Sequence, residues 1–238
     1  SKLLSPAAGE QFKQIRYQAY AFHTNLIRRL QPRAGLPRLR LYVLITAELC
    51  RGDWLATAEA ALTGGADCLQ LREKNLSDGE LLRRAQILVR LCHRYDALFI
   101  MNDRPDIAVL TGADGVHVGQ DDLPVEAVRR IVGPDRIIGK STHSLEEALA
   151  AAREGPDYIA VGPMFPTTTK LHDRIAGPET LREVAAQAKV PLVAIGGITP
   201  DNCRGIFSAG AQAVAVCQAV IAQADARAAA AAFRAQIK

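Results

Sequence analysis

Leu41-Tyr42-Val43-Leu44-Ile45-Thr46-Ala47-Glu48 decides how the rest of this 238-residue chain folds. Its first six residues form an apolar run of strand length. The joint that follows, Thr46-Ala47-Glu48, carries no glycine. An open doubly wound sheet concentrates its G-x-G-x-x-G fingerprint at that first strand–helix joint. Beyond the joint, residues 54–62 read as a helix stopped by Gly64-Gly65.

The same unit recurs down the chain. Apolar runs of strand length fall at 68–72, 98–101, 115–118, 137–141, 158–161, 191–195 and 213–216. Helical patterns follow them at 77–94, 106–110, 124–131, 144–153, 179–187, 202–208 and 222–237. Ser77 with Glu80, and Ser144 with Glu147, have the spacing of a capping box. Strands joined by helices run parallel. Eight such units, with the glycines after later strands, predict a TIM (β/α)8 barrel over 41–238, at the compact end of its usual size.

Residues 1–40 read as a separate N-terminal helical arm and linker. Phe12, Ile15, Ala19, Phe22, Leu26 and Leu30 fall on one stripe of a helix over 10–30. That stripe needs a partner, either the barrel wall or a second subunit, so a homo-oligomer through this helix is one expectation. Pro32 and Gly35-Leu36-Pro37 end it. The arm holds eight Lys or Arg and one Glu, which leaves 21 basic and 24 acidic residues for 41–238. The net charge of +4 therefore belongs to the arm, and the barrel shows no basic surface for nucleic acid. No apolar run is long enough to span a membrane, and Ser1 to Lys13 lacks a signal-peptide layout. The five cysteines are scattered without metal-ligand spacing, as free thiols of a cytoplasmic enzyme would be.

In a barrel, function gathers where the strands end at their C-termini. Gly162-Pro163-Met164-Phe165-Pro166-Thr167-Thr168-Thr169-Lys170 follows the sixth strand. Its prolines are expected to end the ladder, and its hydroxyls and ammonium suit an anionic ligand. The long stretch 164–177 is expected to act as a lid. Gln70, Arg72 and Lys74 alternate at the second strand, so two cations face the same way toward a pyrophosphate. Asp103 ends the third strand and Asp122 follows the fourth. Helix capping would explain either one; next to a basic cluster they also suit magnesium. His117 is expected to pack inside the barrel. Ser141 lacks the flanks of a nucleophile elbow and reads as a phosphate donor. His143 is open to two readings, acid–base catalyst or helix cap. Gly196-Gly197 lets backbone N–H groups approach an anion, and Cys217-Gln218 ends the eighth strand.

Together Gln70-Leu71-Arg72-Glu73-Lys74, Asn102-Asp103-Arg104, the stretch from Ala113 to Asp122, the Gly162–Lys170 loop and Ala194-Ile195-Gly196-Gly197-Ile198 resemble the thiamine phosphate synthase family over about 41–220. The resemblance implies condensation of hydroxymethylpyrimidine pyrophosphate with thiazole phosphate, with magnesium, to thiamine phosphate and pyrophosphate. It implies that Arg72, Lys74, Asn102, Ser141 and Lys170 hold the pyrophosphate, with Arg72, Lys74, Ser141 and Lys170 carrying the catalysis. Asp103 and Asp122 would hold the metal, and Gln70 would meet the pyrimidine. Thr167, Thr169, Gly197 and the turn of Cys217 and Gln218 would take the thiazole phosphate. That turn departs from the family, where a smaller residue such as Ser is expected beside the phosphate.

Two rivals use the same barrel. The related thiazole tautomerase resembles the chain at Ser141-Thr142-His143-Ser144, with His143 as its catalytic histidine. A non-catalytic phosphate-sensing barrel would need no charge compensation for a leaving group, which the carboxylate pair and basic cluster offer.

Overall fold

The computed structural model describes residues 39–167 and 175–237. The expected arm helix over 10–30 lies outside the described residues. So does 168–174, the middle of the stretch expected to be a lid.

The eight strands are β1 (Leu41–Ile45), β2 (Cys68–Leu71), β3 (Leu98–Asn102), β4 (Gly115–Val118), β5 (Ile137–Thr142), β6 (Tyr158–Val161), β7 (Leu192–Ile195) and β8 (Ala213–Val216). They form one closed barrel in sequence order, each parallel to its neighbours. The described helices are α1 (Trp54–Thr63), α2 (Asp78–Arg94), α3 (Pro105–Thr111), α4 (Val125–Val132), α5 (Leu145–Glu154), α6 (Gly177–Gln187), α7 (Cys203–Ser208), α8 (Gln218–Ile221) and α9 (Ala226–Gln236).

Each strand splits its side chains between two layers, as a period of two requires. Leu41, Val43 and Ile45 of β1 join the apolar layer between strands and helices, as do Leu69, Leu71, Phe99 and Met101. The alternate residues, among them Tyr42, Leu44, Gln70, Asn102, His117 and Ser141, face the interior cavity. Gly139 belongs to this inner set, because a Cβ there would lie 2.1 Å from Tyr158 Cζ and 2.5 Å from His117 Nδ1. The inward face is therefore partly polar near the mouth, while the outer layer is mostly apolar; its polar members Lys140 and Thr142 of β5 are buried and bonded to Gly119 O and Ala160 O.

Local details depart from expectation for physical reasons. β2 ends at Leu71, so Arg72 and Lys74 stand on the loop beyond it rather than on the strand. Ser77 Oγ accepts the Glu80 N–H, but the Glu80 carboxylate turns to Arg83 and Arg84 and does not close the box. At α5 the Ser144 hydroxyl accepts from Glu147, whose carboxylate reaches one residue further back, to the His143 N–H at 2.8 Å. The β6 ladder ends at Val161, before Pro163, as expected, yet two bonds continue past that proline: Met164 N–H donates to Ile195 O at 2.9 Å and Phe165 N–H to Gly196 O at 3.0 Å. Proline removes only its own donor. The helix expected over 222–237 starts at Ala226, because Asp225 caps it by accepting the Ala228 N–H at 2.9 Å. The residues before it form the short α8.

Candidate active site

A cavity of about 770 Å3 opens at the C-terminal ends of the strands. On one side stands the β2–α2 loop, pinned by backbone and side-chain bonds. Arg72 N–H donates to Ile45 O at 2.8 Å, and Arg72 O accepts the Thr46 hydroxyl at 2.8 Å. Glu73 Oε1 accepts the Ala47 N–H at 2.9 Å and Arg84 Nη1 at 2.9 Å. Arg84 in turn lies 5.0 Å over the Trp54 ring. Turned away and anchored, Glu73 leaves Arg72 and Lys74 lining the cavity.

Asn102 and Asp103 close β3. Asp103 has φ +61°, a left-handed conformation that aspartate tolerates better than most residues. Its N–H donates to His117 O at 2.8 Å, tying the ends of β3 and β4 together. Its carboxylate is ion-paired with the Lys74 ammonium. The Asp122 carboxylate accepts the Gly119 N–H at 2.7 Å. Neither aspartate caps a helix: the N-cap position is held by Arg104 before α3 and by Pro124 before α4, both without a side-chain cap. The capping reading is thus excluded for both, and both line the cavity.

Their ionisation differs. Burial raises the Asp103 carboxyl above the usual range against the pull of Lys74, and the nearby Asp122 raises it further. At Asp122 burial works the same way, yet the Gly119 N–H, Asp103, Lys74 and Lys140 together hold it below the usual value. Two carboxylates driven apart in this way share one site. Among the described residues no group of three His, Cys, Asp or Glu gathers for a metal. Two carboxylates fit magnesium, which takes one or two of them and completes its shell with water and substrate phosphate.

The other predicted residues fall around the same cavity. Gln70, Ser141, Thr167, Gly197, Cys217 and Gln218 all line it. Thr169 and Lys170 lie outside the described residues. Gly197 has φ +65°, and a Cβ there would sit 2.7 Å from Pro166 O, so only glycine lets the loops after β6 and β7 close together. Asn202 braces this turn by donating to Gly197 O at 3.1 Å. Gln218 is the first residue of α8, and a short extra helix after β8 is a usual part of a barrel's phosphate site. Burial pushes the Cys217 thiol up to about 12, with Arg72 opposing, so it stays a weak neutral donor.

His117 packs inside as expected: its ring lies 2.9 Å from the Tyr158 hydroxyl and 2.7 Å from Ser141 Oγ. His143 is no cap; that place is taken by Ser144. It lines the cavity, with Nδ1 2.6 Å from Gly162 O, so Nδ1 carries a hydrogen that it donates to that carbonyl. Sequence reasoning missed Tyr42 and Tyr158, whose only signal is a phenol at an inward position of a strand. It also missed Gln120, whose amide donates to Ser141 O.

Fold and site together define a (β/α)8 barrel with an enzyme-like site that gathers cations, hydroxyls and a carboxylate pair. A sequence model of the family described as thiamine monophosphate synthase matches residues 41–220, and the chain belongs to that family. It is 43% identical over 220 residues to a thiamine-phosphate synthase of Nostoc, covering 92% of this chain and 62% of that protein. A thiamine-phosphate synthase of Shouchella clausii is 46% identical over 194 residues, 80% of this chain and 92% of its own length. The chain thus spans about three fifths of the Nostoc protein and nearly all of the shorter Shouchella one. Among solved structures, a thiamine phosphate pyrophosphorylase from Pyrococcus furiosus superposes with a TM-score of 0.78 at 40% identity, over 84% of this chain and 96% of that one.

Proposed function

We propose that the chain is a thiamine-phosphate synthase, joining hydroxymethylpyrimidine pyrophosphate to thiazole phosphate and releasing pyrophosphate. The observation that carries this is the convergence of Arg72, Lys74, Ser141 and two uncapping aspartates on one cavity. Arg72 offers a planar fork and Lys74 a point charge to the pyrophosphate, with Asn102, Ser141 and Lys170 beside them. Charge grows on that group as it departs, and fixed donors and cations stabilise it there more than in the ground state. Asp103 and Asp122 would hold magnesium, which when bound neutralises phosphate charge. The electron-rich aminopyrimidine carries the cation left behind, held by Gln70, and the thiazole nitrogen attacks it. Thr167, Thr169, Gly197 and the Cys217-Gln218 turn fix the thiazole phosphate. No side chain needs to act as nucleophile, which agrees with the protonated Cys217 thiol.

The tautomerase reading draws on His143, whose ring lines the same cavity and is held by Gly162 O. One pair of variants separates the two. On the synthase reading Asp103→Asn abolishes condensation and leaves thiazole phosphate binding largely intact, while His143→Ala costs much less. A tautomerase reverses that order. Chelation should likewise stop condensation, and added magnesium should restore it. An Asp103→Asn protein condensing at the wild-type rate would refute the metal assignment. All five cysteines are free, which suits a cytoplasmic location. No helix among the described residues is long and apolar enough to cross a membrane.

A further inference from the structure

An unbroken run of hydrogen bonds crosses the inside of the barrel. Gln70 Nε2 donates to the Tyr42 hydroxyl at 2.7 Å. The Tyr42 and Tyr158 hydroxyls are 3.1 Å apart. The Tyr158 hydroxyl lies 2.9 Å from His117 Nδ1, and His117 Nε2 lies 2.7 Å from Ser141 Oγ. Tyr42, Tyr158 and Gln70 are at most 3% exposed. The two tyrosine rings meet edge to face, and His117 stacks on Tyr158. The condensation steps use Gln70 and Ser141, the two ends, but none of the three residues between.

Proton bookkeeping gives the run a direction. An amide nitrogen only donates, and a hydroxyl has one hydrogen to give. Because Gln70 Nε2 donates to the Tyr42 oxygen, the Tyr42 hydrogen passes on to Tyr158. The Tyr158 hydrogen then meets His117 Nδ1, which must be the bare nitrogen of the ring. The ring hydrogen sits on Nε2 and points at Ser141 Oγ. Ser141 keeps its own hydrogen for the cavity, and Gln70 keeps Oε1. Reversal would draw the Ser141 hydrogen back onto the ring and show the cavity a lone pair, which repels an anion. Burial, the largest effect at both phenols, raises them well above their usual range, so neither gives up its hydrogen to the bulk. The space for the run exists because residue 139 is glycine.

We propose that Tyr42, Tyr158 and His117 are positioning residues that order their protons one way, from Gln70 to Ser141, so that the site meets its ligands with an acceptor at Gln70 and a hydroxyl donor at Ser141. The fitting chemistry is an amine hydrogen at one end and a phosphoryl oxygen at the other. That assignment of the ends rests on the synthase reading; the direction of the run does not.

The first test needs no variant. In the full chain labelled with 15N at histidine, without ligand, the ring of His117 is assigned by its through-space contact with Tyr158. The Nε2–H tautomer is expected, and an Nδ1–H tautomer overturns the proposal. The second test measures affinity for inorganic pyrophosphate with magnesium by calorimetry. Tyr158→Phe, which keeps the ring, should weaken binding roughly fivefold, the worth of one hydrogen bond. In a Ser141→Ala background it should cost nothing more, because Tyr158 acts through Ser141. Equal losses in both backgrounds, or no loss in the wild-type background, reduce Tyr158 to packing and overturn the positioning role. A condensation assay on the wild type keeps the two conclusions apart. The predicted tautomer and coupling without condensation would remove the synthase reading alone, and condensation with the Nδ1–H tautomer would remove this proposal alone.

Discussion

His117 shows how far the barrel interior governs a single residue. It is 8% exposed, and burial, with Lys140 nearby and against the pull of Asp122, lowers its pKa to about 4. In the unfolded chain the same ring takes a proton near 6.5. Between those values the unfolded state binds more protons, so folding stability rises with pH. The contribution is complete above the unfolded value and is lost as pH falls toward the folded one; it amounts to about 3 kcal/mol at this shift. Urea unfolding across that window should show the fall, and His117→Gln should lack this component. An identical slope in both proteins would place the protons on other groups. That His117 faces inward was legible from the alternation along Gly115-Val116-His117-Val118. Its partners were not, because Tyr158 lies two strands away and only barrel closure brings it to the ring. The roles of Asp103 and Asp122 were equally undecided by sequence, since an aspartate just before a helix reads the same whether or not it caps. The left-handed turn at Asp103 and the Gly119 bond at Asp122 settle that neither does.

The β2–α2 loop carries Arg72 and Lys74 at the mouth, and what holds it is an element-scale device. Glu73 ties the loop to the start of the β1 joint through Ala47 and to α2 through Arg84, in surroundings where its side chain is 6% exposed. Removing the carboxylate leaves a backbone donor and half of Arg84's ion pairing without a partner, though Glu80 still holds Arg84. Glu73→Ala should therefore cost about 2–3 kcal/mol of stability. It should also raise the KM for the pyrophosphate substrate more than it lowers kcat, because it loosens Arg72 and Lys74 without touching Asp103 or Asp122. Denaturant unfolding and steady-state kinetics check both parts; a full-strength KM with reduced stability would mean that the loop is held without Glu73. Strands and long helices were readable because each has its own period and stop signals. α8 was not: Gln218-Ala219-Val220-Ile221 has no cap and merges in pattern with the alanine-rich run behind it, and only the Asp225 cap separates them. The Glu80 side chain misled for a related reason, since Arg83 and Arg84 offer charge where the capping box offers one backbone donor.

At the scale of the whole molecule the barrel is closed by its own strands. β1 pairs with β2 on one side and β8 on the other, so every edge is covered within 41–216. Among the described residues the bonds to the barrel begin just before β1: Leu39 is 2% exposed, Arg40 N–H donates to Asp67 Oδ2 at 2.9 Å, and Val214 N–H donates to Arg40 O at 2.9 Å. Residues 1–36 precede all of these. They carry an excess of positive charge that the barrel does not share, and every described group proposed for the chemistry lies at 70 or beyond. We therefore expect a chain starting at Pro37 to fold, to keep the thermal midpoint of the barrel, and to condense the two substrates at the full rate. Mass in solution reports separately on the apolar residues from Phe12 to Leu30: if they join two copies, the shortened chain is smaller by more than its missing residues while turnover is unchanged. Loss of turnover in a folded, shortened chain that keeps its original oligomeric state would mean that the arm supplies part of the site, and the division of the chain at 40 would no longer separate chemistry from attachment.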